Sequence, residues 1–454
     1  MRPVLEHAAP LGRLFGAEGH RIYLVGGIVR DLIAGREVDD ADLDFTTDAT
    51  PAQTKAIVGP WASSLWTQGE RFGTIGCIRD GRTFEITTHR AEAYQPDSRK
   101  PQVEFTTSIE ADLSRRDFTV NAMALDLTEE APQLIDPFGG ADDLVAKRLT
   151  TPLAAETSFS DDPLRMLRAA RFICGYELEP TPELRKAVVD MLDRLEIVSV
   201  ERIRAELDKL MVTADPSAGL WFLSDTGLAN IFLPELPALR VEQDPIHRHK
   251  DVLTHTIAVV ANTSPKLTLR LAALFHDIGK PKTRSVGSGG IAFHHHEVVG
   301  ARMTRERMRA LRYSNEMVAD VSQLVFLHLR FHTYSMGWTD SAVRRFVRDA
   351  GDQLAELIEL TRCDCTTRNK RKAETLSRRM DELESRIADL GAQEELAAMR
   401  PDIDGGQVMA HLGIPPGPIV GRALRYLLDL RIEEGPLGER EAFRRLDAWY
   451  ADQP

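Results

Sequence analysis

Hydrophobic positions change their period once along the chain. Up to about residue 150, short apolar runs bounded by Gly and Asp predict strands at Arg21–Val25, Leu43–Thr46, Thr74–Arg79 and Thr83–Thr87. These alternate with helical stretches, one beginning near Arg30 and one covering Phe118–Leu125. From about residue 155 nearly every segment is helical in period, with apolar residues three and four apart and breaks at Pro and Gly. Gln95–Pro101 is polar and Pro-flanked, which predicts a mobile loop. The expected fold class is therefore α+β: a small mixed-sheet head followed by an elongated all-α body. The expected domains are 1–150, 151–235, 236–385 and 386–454.

Composition narrows the picture modestly. A chain of 454 residues is too long for one core. No apolar run is long enough to span a bilayer, and the N-terminus lacks a basic stretch followed by an apolar one. Four scattered cysteines (Cys77, Cys174, Cys363 and Cys365) point to a reducing compartment, so the expected location is cytoplasmic, with no membrane association. A net charge of −12 argues against a nucleic-acid binder. Arginine-rich segments at 165–171, 302–312, 344–348 and 362–372 permit a local basic surface, and read equally as solvated helix faces.

The densest chemistry lies in residues 24–51. Gly26-Gly27 ends an apolar strand and permits a turn whose N–H groups can approach a phosphate. Arg30 just beyond offers a planar donor fork for the same phosphate. Asp42 and Asp44 are two apart, so on a strand both carboxylates leave one face. Two hard oxygen ligands opposite a phosphate cradle suit Mg²⁺ bridging a nucleoside triphosphate. Asp40 and Asp42 share that spacing and remain an alternative pair. On Thr83–Thr88, alternation places Glu85 and Thr87 on one face. Glu85 reads either as a third acid or as a solvent-facing strand residue.

Val25-Gly-Gly-Ile-Val-Arg-Asp31 with Asp42-Leu-Asp-Phe45 and Ala49-Thr-Pro51 resembles the signature of class II tRNA nucleotidyltransferases, the CCA-adding enzymes and their poly(A) polymerase relatives. Arg115-Arg-Asp-Phe-Thr-Val-Asn-Ala122, Asp136-Pro-Phe-Gly-Gly140 and Asp161-Asp-Pro-Leu-Arg-Met-Leu-Arg-Ala-Ala-Arg-Phe172 match later motifs in family order. The resemblance implies a head, neck, body and tail. It also implies template-independent addition of CCA to the tRNA 3′ end from CTP and ATP, with no obligate protein partner. A poly(A) polymerase, or an enzyme adding only CC or only A, is the alternative within the family. By resemblance, Glu85 joins Asp42 and Asp44 in catalysis, and Arg116 with Asp117 reads the sugar of the incoming nucleotide. A helix-capping Asp with an ion-paired Arg is the plain reading of the same two residues.

Asp162 and Arg165 are three apart, so on a helix their side chains are neighbours. Their joint edge of acceptor and donors fits cytosine and adenine and rejects the reversed edge of uracil and guanine. An ordinary ion pair on an exposed helix fits the spacing as well. By resemblance, Arg168 and Arg171 continue toward the triphosphate or a stacked base.

His255, His276-Asp277 and Asp364, with His296 and His328 between, resemble an HD-type phosphohydrolase domain. That resemblance implies a second divalent metal, and a retained but inactive scaffold is the alternative. His294-His295-His296 is expected to contribute one ligand only. Leu412–Gly421 joins two helical patterns and reads as a family tail element that could meet RNA phosphates, or as a plain connector.

Overall fold

The computed structural model describes residues 2–38, 42–93, 102–129, 131–242, 251–287, 290–331, 334, 337–365, 370–394 and 400–453. The expected loop at Gln95–Pro101 and the alternative ligand Asp40 lie outside the described residues. The chain folds as two compact units, Met1–Pro237 and Ala238–Pro454.

The first unit is built on a seven-stranded mixed sheet. Its strands are β1 (Ile22–Val25), β2 (Asp42–Thr47), β3 (Ser64–Trp66), β4 (Thr74–Arg79) and β5 (Arg82–Thr88). A separate antiparallel pair, β6 (Arg90–Ala93) and β7 (Gln102–Phe105), follows, and β8 (Ala124–Asp126) and β9 (Gln133–Ile135) complete the sheet. The order is β3-β4-β5-β2-β1-β8-β9, with β2 and β5 parallel and the other neighbours antiparallel. Helices α1 (Arg2–Ala17), α2 (Gly27–Ile33) and α3 (Pro51–Val58) accompany the early strands. α3 starts at Pro51 behind a reciprocal Thr50–Gln53 capping box. Leu43, Phe45, Phe84 and Ile86 share one face of β2 and β5 and pack with Leu11 and Phe15 of α1. The opposite face of these two strands is left to polar residues.

Next come α4 (Ile109–Ser114), α5 (Gly140–Val145), α6 (Ala155–Asp161) and α7 (Leu164–Tyr176). Phe118–Leu125, expected as a helix, is instead a single 3₁₀ turn (Thr119–Asn121) leading into β8. The Asp117 carboxylate accepts hydrogen bonds from the Phe118 N–H and the Asn121 amide, which favours the tight turn over helix propagation.

The second unit is almost wholly helical. Its helices include Val252–Asn262, Leu267–Phe275, His296–Ala310, Asn315–Leu327, Leu354–Asp364 and Lys370–Glu394. One hairpin, Arg284–Gly287 with Gly290–Phe293, interrupts the expected helical pattern. The last three helices, Gly405–Leu412, Pro418–Glu434 and Glu439–Ala451, close on Val408, Leu427 and Leu446. The Leu412–Gly421 stretch joins the first two of them. No described helix is long and apolar enough to cross a membrane.

Candidate active site and a histidine cluster

The β2 pleat exposes Asp42 and Asp44 and buries Leu43 and Phe45. In the parallel register, Asp44 stands opposite Glu85 of β5, so the expected acid pair and the third acid share one sheet face. Asp44 and Glu85 line a polar cleft of about 480 Å³, together with Arg90, Arg116, Asp117, Asp162, Arg165 and Arg168. Burial first, then the neighbouring Glu85, raises the pKa of Asp44, while Arg116 opposes the rise. A carboxylate that is partly desolvated and repelled by another is relieved by a bound cation, so the donor set fits a hard divalent ion.

Gly26 adopts φ 80° and ψ −146° as it caps α2. A Cβ there would stand 3.5 Å from Arg116 Nη1 and 3.9 Å from Asp44 Oδ2. Arg116 therefore lies beside Gly26, while a Cβ on Gly27 would stand 3.1 Å from Arg30 Nη2. Arg30 is tied into the protein beside that turn. Its guanidinium donates to both Asp31 oxygens, to Asn121 Oδ1 at 2.5 Å and to the Tyr176 hydroxyl, and it lies 4.0 Å from the Tyr176 ring centre. Its fork is engaged by protein groups that do not themselves line the cleft.

The expected Arg116–Asp117 pair is rearranged. Asp117 accepts from Arg168 Nε at 2.8 Å and Nη2 at 2.5 Å. Arg116 Nη2 instead lies 3.4 Å from Asp112, which is buried on α4 and also takes Arg115 at 3.1 Å. Burial would raise the pKa of Asp117, but Arg168 and the Asn121 amide hold it below the usual carboxylate range.

Asp162 is not on a helix with Arg165. It ends α6 with φ −141° and ψ 99°, because Pro163 disfavours helical backbone before it and opens α7. The two side chains nonetheless line the same cleft. Asp162 accepts from the Leu164 N–H at 3.2 Å and from Arg202 at 2.7 Å, while Arg165 donates to Ser158 and to the Arg115 carbonyl. Arg171 is outside the cleft lining and donates to Glu206 at 2.8 Å. Arg90, Asp112 and Arg202 also line the cleft and were not singled out from the sequence. The Asp112 spacing of three and four to Arg115 and Arg116 was a readable signal, whereas Arg202 reaches Asp162 across 40 residues without one.

In the second unit, the helices Val252–Asn262 and Leu354–Asp364 and the end of Leu267–Phe275 bring His255, Asp364 and His276-Asp277 to one point. His255 Nε2 is 2.8 Å from Asp364 Oδ1 and 3.3 Å from His276 Nε2. His276 Nε2 lies 3.2 Å from Asp277 Oδ2, and Lys280 Nζ lies 2.6 Å from the same oxygen. Burial would lower the pKa of His276, but Asp277 and Asp364 push it up to about 10. His294 and His295 are exposed, and His296 is buried. The ligand atoms of His255, His276 and Asp277 all lie within 4.8 Å of one another, a set that fits a divalent transition ion.

An acidic strand face beside an arginine-walled cleft, on this mixed sheet, defines a nucleotidyl-transferring head. Residues 22–150 match the family described as Poly A polymerase head domain, residues 177–239 that described as Probable RNA and SrmB- binding site of polymerase A, and residues 252–389 the HD domain. The chain is 33% identical to the A-adding tRNA nucleotidyltransferase of Deinococcus radiodurans, over 95% of this chain and 96% of that one. The CCA-adding enzyme of Geobacillus thermodenitrificans is 36% identical over 52% of this chain and 56% of its own length. The crystal structure of the Bacillus stearothermophilus CCA-adding enzyme in complex with CTP shares the fold, with a TM-score of 0.69 at 24% identity over 99% of this chain and 98% of that one. The chain belongs to the class II tRNA nucleotidyltransferases and carries an HD domain. Enzymes of this family depend on a divalent metal.

Proposed function

We propose that the chain adds CCA to the 3′ end of tRNA, using CTP and then ATP without a nucleic-acid template. One observation carries this reading: the acid face of Asp44 and Glu85 and the Asp162–Arg165 wall open into a single cleft. The terminal 3′-hydroxyl oxygen bonds to the α-phosphorus as the α–β bridging bond breaks, and pyrophosphate leaves. Asp42 and Asp44, with Glu85 beside them, would hold Mg²⁺, which when bound favours the ionised hydroxyl and offsets charge on the leaving pyrophosphate. Arg116, kept in place by Asp112, takes a phosphate-facing role beside the Gly26 turn. Arg168 and Asp117 brace each other behind it. Asp162 accepts from the exocyclic amine of cytosine or adenine, and Arg165 flanks it.

tRNA transcripts ending before the CCA, after C and after CC, each given one labelled nucleotide, test this reading. Stepwise C, C and A addition is expected. Addition of A to the CC-ended transcript alone would make the chain an A-adding enzyme, and unlimited A addition would make it a poly(A) polymerase.

A second reading concerns the other unit. The convergence of His255, His276, Asp277 and Asp364 supports a divalent metal in a phosphohydrolase-type site. Phosphate release from a 2′,3′-cyclic or 2′-phosphorylated nucleotide with Ni²⁺, Mn²⁺ or Mg²⁺ is the expected activity. Silence with all three metals would leave the cluster as scaffold.

A further inference from the structure

Asp112 lines the cleft and yet is only 1% exposed. Its two oxygens are loaded unequally. Oδ1 accepts from the Arg90 backbone N–H at 3.2 Å and from Arg115 Nη2 and Nε at 3.1 and 3.3 Å. Oδ2 accepts a single long bond, from Arg116 Nη2 at 3.4 Å. Burial would raise the pKa of Asp112, but Arg116 and Arg115, then His89 and the Arg90 N–H, hold it below the usual carboxylate range. A buried charge of this kind is tolerated only where its neighbours compensate it.

The spacing explains the unequal load. Asp112 lies three residues before Arg115 and four before Arg116, so both side chains can reach back to it over one turn. Arg115 closes α4, and Arg165 of α7 donates to its carbonyl, which fixes the point from which its guanidinium reaches Oδ1. Arg116 is held more loosely. It has one bond of 3.4 Å to the carboxylate, and its buried Nε has no partner among the described residues.

One carboxylate between two guanidiniums leaves a positive charge over. Because Arg115 makes the closer and doubled contact, the surplus falls on Arg116, the guanidinium beside Gly26. Removing the anion would leave two like charges facing each other and Arg116 without its anchor. Removing Arg115 would draw Arg116 onto the whole carboxylate and cancel its charge. The two changes act from opposite causes and reach the same residue.

We infer that Asp112 and Arg115 are positioning residues for the triphosphate: Arg115 takes up most of the Asp112 charge, so the remaining oxygen orients Arg116 while leaving its charge to the phosphate oxygens. The inference rests on the phosphate-facing reading of Arg116 given above. The Arg90 N–H on the same oxygen ties the start of β6 to this arrangement.

Initial rates of A addition to a CC-ended tRNA transcript, with ATP varied, test this in the full chain. Arg116→Ala should raise KM for ATP about tenfold, the worth of one hydrogen bond to a charged group. Asp112→Asn and Arg115→Gln should each raise it several-fold with a smaller change in kcat, and neither should add to the effect of Arg116→Ala when combined with it. Asp112→Glu, which keeps the charge, should lie nearer the parent than Asp112→Asn. Thermal melting followed by circular dichroism separates these effects from loss of fold. If Asp112→Asn does not fold, Arg115→Gln carries the same expectation alone. A parent-like KM in Arg115→Gln, or an effect that adds in full to Arg116→Ala, overturns the inference. A parent-like KM in Arg116→Ala removes the phosphate-facing reading of Arg116 itself.

Discussion

Asp42 and Asp44 share the open face of β2, and each is expected to be indispensable. Asp42→Ala or Asp44→Ala should lower nucleotide addition on the order of a thousandfold or more, since metal stabilisation of a phosphoryl transition state is worth several kcal/mol. tRNA binding, measured by filter retention, should survive, and near-normal turnover in both variants would remove their metal role. Because burial and Glu85 hold the metal-free Asp44 carboxyl above the ordinary range, and the anion is the metal-holding form, protons compete with the metal and activity at limiting Mg²⁺ should fall as pH drops. Glu85 is one cause of the rise, so Glu85→Gln should move the acid limb of the pH–rate profile to lower pH, whatever its rate. An acid limb that stays in place would show the two carboxyls to be uncoupled. Asp162→Ala should admit UTP or GTP, because its carboxylate is the acceptor proposed for the exocyclic amine. A four-nucleotide competition with unchanged selectivity would reduce Asp162 to the partner of Arg202.

At the scale of elements, the turn before α2 is the tightest constraint. Gly26→Ala puts a Cβ on backbone that only glycine adopts without strain, at about 1–3 kcal/mol. The added Cβ meets Arg116 and Asp44 only at ordinary van der Waals distance, so the effect comes from the backbone strain. The expected result is a raised KM for CTP together with a lowered melting temperature. A normal KM would show that the turn does not face the nucleotide.

The strands of this region were legible because alternation and Gly or Asp punctuation agree; β1, β2, β4 and β5 all fall within one residue of the bounds expected from sequence. Phe118–Leu125 was not, since a short apolar run carries no period that separates a helix from a buried strand, and a side-chain bond within Asp117–Asn121 decided it. The break at Asp162 did have a signal in Pro163, which marks a helix start and restrains the residue before it. The hairpin Arg284–Phe293 was announced by glycines between Val286 and Ile291. The tethering of Arg30 had no such signal: its partners Asn121 and Tyr176 lie 91 and 146 residues away, and nothing local announces them.

Over the whole molecule, the two candidate sites belong to different compact units and share no residues. His276→Ala together with Asp277→Ala should therefore abolish any metal-dependent phosphate release while CCA addition persists. Loss of both activities would point to a folding role for the pair. The tethering of Arg30 in the first unit has a mechanical meaning. Arg30 grips Tyr176 at the end of α7, and Asn121, its next partner, holds the Asp117 that clasps Arg168 in the middle of α7. The helix that follows the glycine turn is thus tied at two points to α7, which also carries Arg165. A cleft braced in this way would act as a fixed gauge rather than a closing jaw if Asp162 and Arg165 read the base, its width set before the nucleotide arrives.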